Sequence, residues 1–390
     1  MDVESGRNMP SGLVRALASR WEVNDRDADV QRPTAASVPH MHNKFLQDVL
    51  SRMDGTFEVA GFTAEKVSEG GPYQTSIVTR VTVLNTDHSS VTLLFKTVNS
   101  ASPKAKALKF KEMFKKEAFM YSTAIPAMMA LLPDDSLNIF ATSYHCSADV
   151  VVLEDIRCHE GDHTEGLNAG HCRLVLAALG RLHAAAHALP GDVRDEVGKE
   201  VQRTAEAWDR LAEHAAAAVQ VVRTSPRASR YIRKVEAFLS DAKRQLQTFQ
   251  TPGEEFWTLN HGELWAGNLT FCYQGNEPTA VKLLNFQACH YGSPVLDIIH
   301  LLYTSTRSEV RVAHMDDFAR TYHRALTRTL RQLGVGGAPS LVDLRREIDS
   351  KERYGLLAAV AISDAADEDE SSFARRIEDV VLDLGNQGVF

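Results

Sequence analysis

A chain of 390 residues has room for about two or three domains and for a full hydrophobic core without metal or disulfide staples, which excludes a mini-protein. With 44% hydrophobic and 24% charged residues, its composition is that of a folded globular protein rather than a disordered or fibrous one. Its 43 Lys and Arg against 51 Asp and Glu leave a formal charge of −8, which repels phosphate backbones and anionic lipid and argues against nucleic acid or a membrane as the main partner.

No stretch approaches the roughly 18 uncharged apolar residues of a membrane span, and Met1-Asp2-Val3-Glu4 opens without an apolar signal, so a cytoplasmic protein is expected. Cys146, Cys158, Cys172, Cys272 and Cys289 contain no Cys-x-x-Cys pair, and reduced thiols are the simplest expectation. Residues 1–40 mix charge, Pro and small polar residues and read as an N-terminal extension, partly disordered. From residue 65 the pattern becomes an antiparallel meander: a short run, the turn signal Glu69-Gly70-Gly71-Pro72, β-branched residues 77–84, a polar connection over 87–90, and a strand over 91–98.

Residues 104–132 read as a long helix broken near Pro126, with Phe110, Met113, Phe114 and Tyr121 on one stripe. A short apolar strand over 150–153 ends in Glu154-Asp155, and the remainder is mainly helical, interrupted by one β segment over 258–287. Residues 175–188 form an Ala-rich helix, and Thr224-Ser225-Pro226 reads as a capped helix start. The expected architecture is α+β, with a small β-rich lobe over 41–155 and a larger helical lobe over 156–390.

The segment His261-Gly262-Glu263-Leu264-Trp265-Ala266-Gly267-Asn268 precedes a strand over 269–273, a turn over 274–278 and a strand over 280–284 that ends in Asn285-Phe286-Gln287. Folded as a hairpin, the start of the first strand lies beside the end of the second, so Glu263, Asn268 and Asn285 converge. A carboxylate and two amide oxygens at one hairpin end suit the orientation of a hydroxyl group and the coordination of a hard cation; the competing reading is that they are ordinary turn formers. In the small lobe, Lys96 shares its strand face with Leu94 and Val98, and Glu117 lies on the apolar stripe of the following helix, which predicts a buried Lys–Glu pair. Six lysines between Lys104 and Lys116 leave open that both side chains are solvated instead.

Together these features resemble the protein-kinase-like fold. More narrowly, the His261–Asn268 loop, Asn285-Phe286-Gln287, the run Tyr291-Gly292-Ser293-Pro294-Val295-Leu296-Asp297, Val152-Leu153-Glu154-Asp155, Leu182-His183-Ala184-Ala185 and Tyr354-Gly355-Leu356-Leu357 resemble the ecdysteroid kinase-like (CHK kinase-like) family, related to choline and aminoglycoside kinases. The resemblance implies a bilobal fold, ATP and Mg²⁺ as cofactors, and a small hydroxylated substrate. It implies that residues 68–76, with Gly70, Gly71 and Ser76, cover the phosphates, although Pro72 has no N–H to offer. Lys96 would hold the phosphates with Glu117 fixing it, Glu154 and Asp155 would meet the adenine, His261 and Glu263 would belong to the catalytic loop, Asn268 and Asn285 would face magnesium, and Asp297 would brace the loop from behind.

Two departures separate this chain from the family pattern, which has Asp where this chain has Glu263 and Asp again where it has Asn285. Glu keeps the charge one methylene further out, and Asn surrenders the charge toward the metal. An impaired but working phosphotransferase and a pseudokinase that binds nucleotide or a small ligand, or serves as an interaction module, are therefore both open. His183 and His187, four apart on a helix, lack the Glu of a zinc motif and read as core or surface histidines, as do His40 and His42. Arg223, Arg227, Arg230 and Arg233 read as a solvated face, and Asp364, Asp367, Glu368, Asp369 and Glu370 as an exposed loop. The chain has neither a Gly-x-Ser-x-Gly elbow nor a Gly-x-x-x-x-Gly-Lys-(Ser/Thr) loop, which argues against a serine hydrolase and a P-loop NTPase.

Overall fold

The computed structural model describes residues 41–52, 55–67, 75–107, 109–132, 137–156, 166–199, 201, 203–251, 256–362 and 369–390. The extension with His40, the turn with Gly70 and Gly71, Cys158, and Asp364, Asp367 and Glu368 lie outside the described residues. Strands β1 (Val59–Lys66), β2 (Ser76–Asn85), β3 (Ser90–Val98), β4 (Ser143–Cys146) and β5 (Val150–Glu154) form one antiparallel sheet in the order β1-β2-β3-β5-β4. The period of two divides its residues between two cores. Val81, Val83, Leu93, Phe95, Val150 and Val152 pack beneath the helix Asn43–Leu50, whose Leu46 and Leu50 close that side. Val151 and Leu153 belong to the large core on the opposite side, and Lys96 stands opposite Val78 and Val151 in the ladder. His42 caps that helix by accepting the Phe45 amide.

The expected break in the long helix takes a definite form. A short helix Pro103–Ala107 ends before Lys109, whose φ of 51° is left-handed, and Phe110–Phe119 follows. Met120–Ala124 is then π-helical, and Pro126 is the second residue of Ile125–Leu131, where its missing N–H is tolerated. Phe110, Phe114, Ala118 and Tyr121 are buried along one stripe, as their spacing predicts, and Met113 packs partly against it.

In the helical lobe, Ala169–His187 lies against Ser308–Gln332 so closely that a Cβ on Gly180 would meet the Tyr322 carbonyl at 2.8 Å. That helix begins six residues before the Ala-rich run because Asn168 accepts the amides of Gly170 and His171. Ser225 caps a turn rather than a helix, accepting from Arg227 and Ala228, and the helix Ile232–Leu239 starts later. The β segment comprises the hairpin β7 (Leu269–Gln274) and β8 (Glu277–Leu283), with β6 (Thr258–Asn260) pairing with β9 (His290–Gly292). The Leu283 amide bonds to the Ile139 carbonyl, which ties this hairpin to the stretch leading into the sheet. Cys272 is disulfide-bonded, against the expectation of five reduced thiols; Cys146, Cys172 and Cys289 are free. Among the described residues, no helix is long and apolar enough to cross a membrane.

Candidate active site

The site forms where the second face of the sheet meets the mouth of the hairpin. Lys96 is 6% exposed and Glu117 not at all, and their ammonium and carboxylate lie 2.6 Å apart. Lys96 also donates to Asn285 Oδ1 at 2.7 Å and to Gln287 Oε1 at 3.3 Å, so one amine joins both lobes. Register places Leu269 opposite Leu283, which sets Asn268 beside the end of β8, and the Leu284 amide bonds to the Asn268 carbonyl. Asn285 adopts φ 65°, ψ 58°, the left-handed region that Asn enters more readily than most residues. From there its Nδ2 donates to Asn268 Oδ1, and Asn268 Nδ2 donates to the Glu263 carbonyl at 2.7 Å. Because an ammonium only donates, each amide in this relay has one permitted orientation. The Glu263 carboxylate accepts from Gln287 Nε2 at 3.2 Å.

Asp297, on the helix Val295–Ser305, holds the loop that carries Glu263. Its carboxylate accepts the His261 amide at 2.6 Å, the Gly262 amide at 2.9 Å and His183 Nε2 at 3.2 Å, while His183 Nδ1 meets the Tyr322 hydroxyl at 2.8 Å. Burial pushes the Asp297 carboxyl up, but the hydrogen bond of His183, the two neighbouring imidazoles and the Gly262 amide outweigh it and hold it at about 2. Burial lowers the His261 imidazole below its usual range, against the pull of Asp297. That neutral ring donates from Nε2 to the Leu284 carbonyl at 2.8 Å and packs on Phe286, which Tyr121 and Phe140 also contact. His261 therefore fixes the hairpin mouth by its side chain and the loop by its amide.

Gly262 is required at its position: φ is +82°, and a Cβ would lie 2.2 Å from the Ala288 carbonyl oxygen. Gly262→Ala is expected to cost about 3 kcal/mol in urea unfolding, because the clash and the unfavourable φ displace both amides from Asp297. An unchanged urea midpoint contradicts this.

The remaining expected site residues make their contacts elsewhere. Asp155 is held by Arg80 at 2.9 Å, and the Glu154 carboxylate accepts the Thr142 amide at 2.9 Å with Lys282 at 3.4 Å. Ser76 opens β2 opposite Val98. Gln287 and His183 are the participants to which sequence alone assigned no role. His187 donates to the Trp257 carbonyl, and among the described residues no three His, Cys, Asp or Glu side chains gather as a metal site. The oxygens on hand, the Glu263 carboxylate and the amides of Asn268 and Asn285, form a hard set with one charge. That set fits Mg²⁺ when nucleotide phosphates complete the shell, since an amide oxygen keeps a second lone pair beside its hydrogen bond.

A five-stranded lobe whose strand lysine pairs with a helix glutamate, set against a hairpin loop on a helical lobe, defines the protein-kinase-like fold. The sequence model of the ecdysteroid kinase-like family matches residues 70–335, well over half of the chain, and the chain belongs to that family. It thereby falls among small-molecule kinase-like phosphotransferases. Similar solved structures include an ethanolamine kinase of Plasmodium vivax, 12% identical with a TM-score of 0.48 over 84% of this chain and 82% of that one. A choline kinase from Cryptosporidium parvum Iowa II is 12% identical with a TM-score of 0.47 over 84% and 91%. The GDP complex of a variant aminoglycoside 2'-phosphotransferase is 12% identical with a TM-score of 0.45 over 89% and 99%. No curated protein matches the sequence.

Proposed function

We propose that this protein transfers the γ-phosphate of ATP to a hydroxyl group of a small, largely apolar molecule of the ecdysteroid type. The observation that carries this is the Lys96 ammonium, held 2.6 Å from Glu117 of one lobe and 2.7 Å from Asn285 of the other. A cation fixed in that way between lobes is placed to take the α and β phosphates, with Glu117 setting its position. In this reading the backbone of Glu154 and Asp155 meets the adenine. Glu263 orients the acceptor hydroxyl and takes its proton as the new O–P bond forms and ADP leaves; Asp297 and His261 hold its loop. Asn268 and Asn285 are the side chains that would hold Mg²⁺, which when bound neutralises charge on the transferring group. The apolar acceptor follows from the family's description alone.

The test is Mg²⁺-dependent consumption of ATP in the presence of a hydroxylated sterol. Glu263→Ala is expected to lower turnover by about 10²-fold or more. A second reading, binding without turnover, is favoured by one observation: the residue facing both Lys96 and Asn268 is the uncharged Asn285. It is the outcome if ATP raises the melting temperature and no acceptor is phosphorylated.

A further inference from the structure

With Asn285 uncharged, the polar groups gathered at Lys96 amount to a neutral ion pair, Lys96 with Glu117, plus amides. A dication brought in by ATP finds no net negative charge there. Gln287 changes this balance. It is half-buried on the short turn Phe286–Ala288; its Oε1 accepts from Lys96 and its Nε2 donates to Glu263 Oε2 at 3.2 Å. An ammonium has no lone pair and a carboxylate no proton, so the opposite orientation of this amide would set donor against donor and acceptor against acceptor. One side chain thus draws the Glu263 carboxylate to within a single amide of the lysine, while the Glu263 loop itself is fixed at Asp297.

We propose that Gln287 is a positioning residue that holds the Glu263 carboxylate on the phosphate side of the cleft, where it supplies toward an ATP-bound dication the charge Asn285 lacks, a role that rests on the phosphotransferase reading above. The charge has moved from the end of β8 to the catalytic loop, and the longer Glu side chain is what lets the loop reach. One carboxylate oxygen is directed by Gln287, and the other serves the acceptor hydroxyl.

The experiment uses the full chain and melting temperature, with ATP titrated in EDTA and in graded Mg²⁺. In the unaltered protein, Mg²⁺ is expected to add to the stabilisation by ATP. Gln287→Leu and Glu263→Gln are expected to keep the metal-free shift and to raise the Mg²⁺ concentration for its half-maximal increment by about tenfold to a hundredfold, the usual effect of losing an outer partner of a metal site. Adding Asn285→Asp to Gln287→Leu should restore it by returning a charge to the site. Gln287→Asn, which keeps the amide one methylene shorter, replaces Gln287→Leu if the latter does not fold. If ATP gives no shift under either condition, the phosphotransferase reading fails and this role with it. If ATP stabilises but the Mg²⁺ dependence is the same in all variants, the nucleotide site stands and the relocation of charge is overturned.

Discussion

Lys96→Met is expected to lower stability by roughly 3–5 kcal/mol and to remove the stabilisation by ATP, two effects with different origins. The stability loss comes from Glu117, which is fully buried and whose second oxygen already lacks a hydrogen-bond partner. Without Lys96, its carboxylate keeps neither an ion pair nor a shell of donors. The double variant Lys96→Met, Glu117→Leu removes the stranded charge and is expected to recover most of the stability while still failing to respond to ATP. Urea unfolding at neutral pH with and without ATP separates the two effects. A single variant within about 1 kcal/mol of the parent would mean that the pair is solvated, as the lysine-rich face of that helix also allows.

The parts of this arrangement that sequence makes legible are those governed by short periods. Alternation along β3 places Lys96 with Leu94 and Val98, the helical stripe places Glu117 with Phe110 and Phe114, and a two-strand hairpin obliges Asn268 and Asn285 to meet. What is hidden depends on contacts between distant segments or on backbone state. His183 and Asp297 are 114 residues apart on separate helices, and their meeting turns a histidine of an Ala-rich run into a brace for the catalytic loop. Arg80 and Asp155, 75 apart, commit a carboxylate that sequence places only at the end of a short apolar strand. The left-handed conformation of Asn285 sends its amide toward Asn268 and, two residues on, brings Gln287 between Lys96 and Glu263; nothing in a linear pattern specifies that turn. The π-helical turn before Pro126 is of the same kind: the proline marks a break, and tertiary packing selects its form.

Mild acid is expected to destabilise the protein through its buried histidines. Burial lowers His300 from 6.5 to about 4, only partly opposed by Asp297, and lowers His261 and His290 in the same direction. For a histidine depressed in the folded state, the unfolded chain takes up the proton first, so stability is lost as pH falls through 6.5 and the loss from His300 levels off near pH 4. That depression corresponds to roughly 3 kcal/mol for His300. Asp297 acts in a separate, lower window. Its carboxyl is held at about 2 against an ordinary 3.8, so its contribution is present above pH 3.8 and disappears as pH falls through 2. Urea midpoints measured at pH 7, 6, 5 and 4.5 are therefore expected to fall steadily, and His300→Gln should flatten that fall by its own share. It should leave the stage below pH 4, which Asp297 controls, unchanged. A midpoint that stays level from pH 7 to 5 would mean that these rings take up protons in the folded protein, and that the neutral His261 assigned to the hairpin mouth is the wrong state.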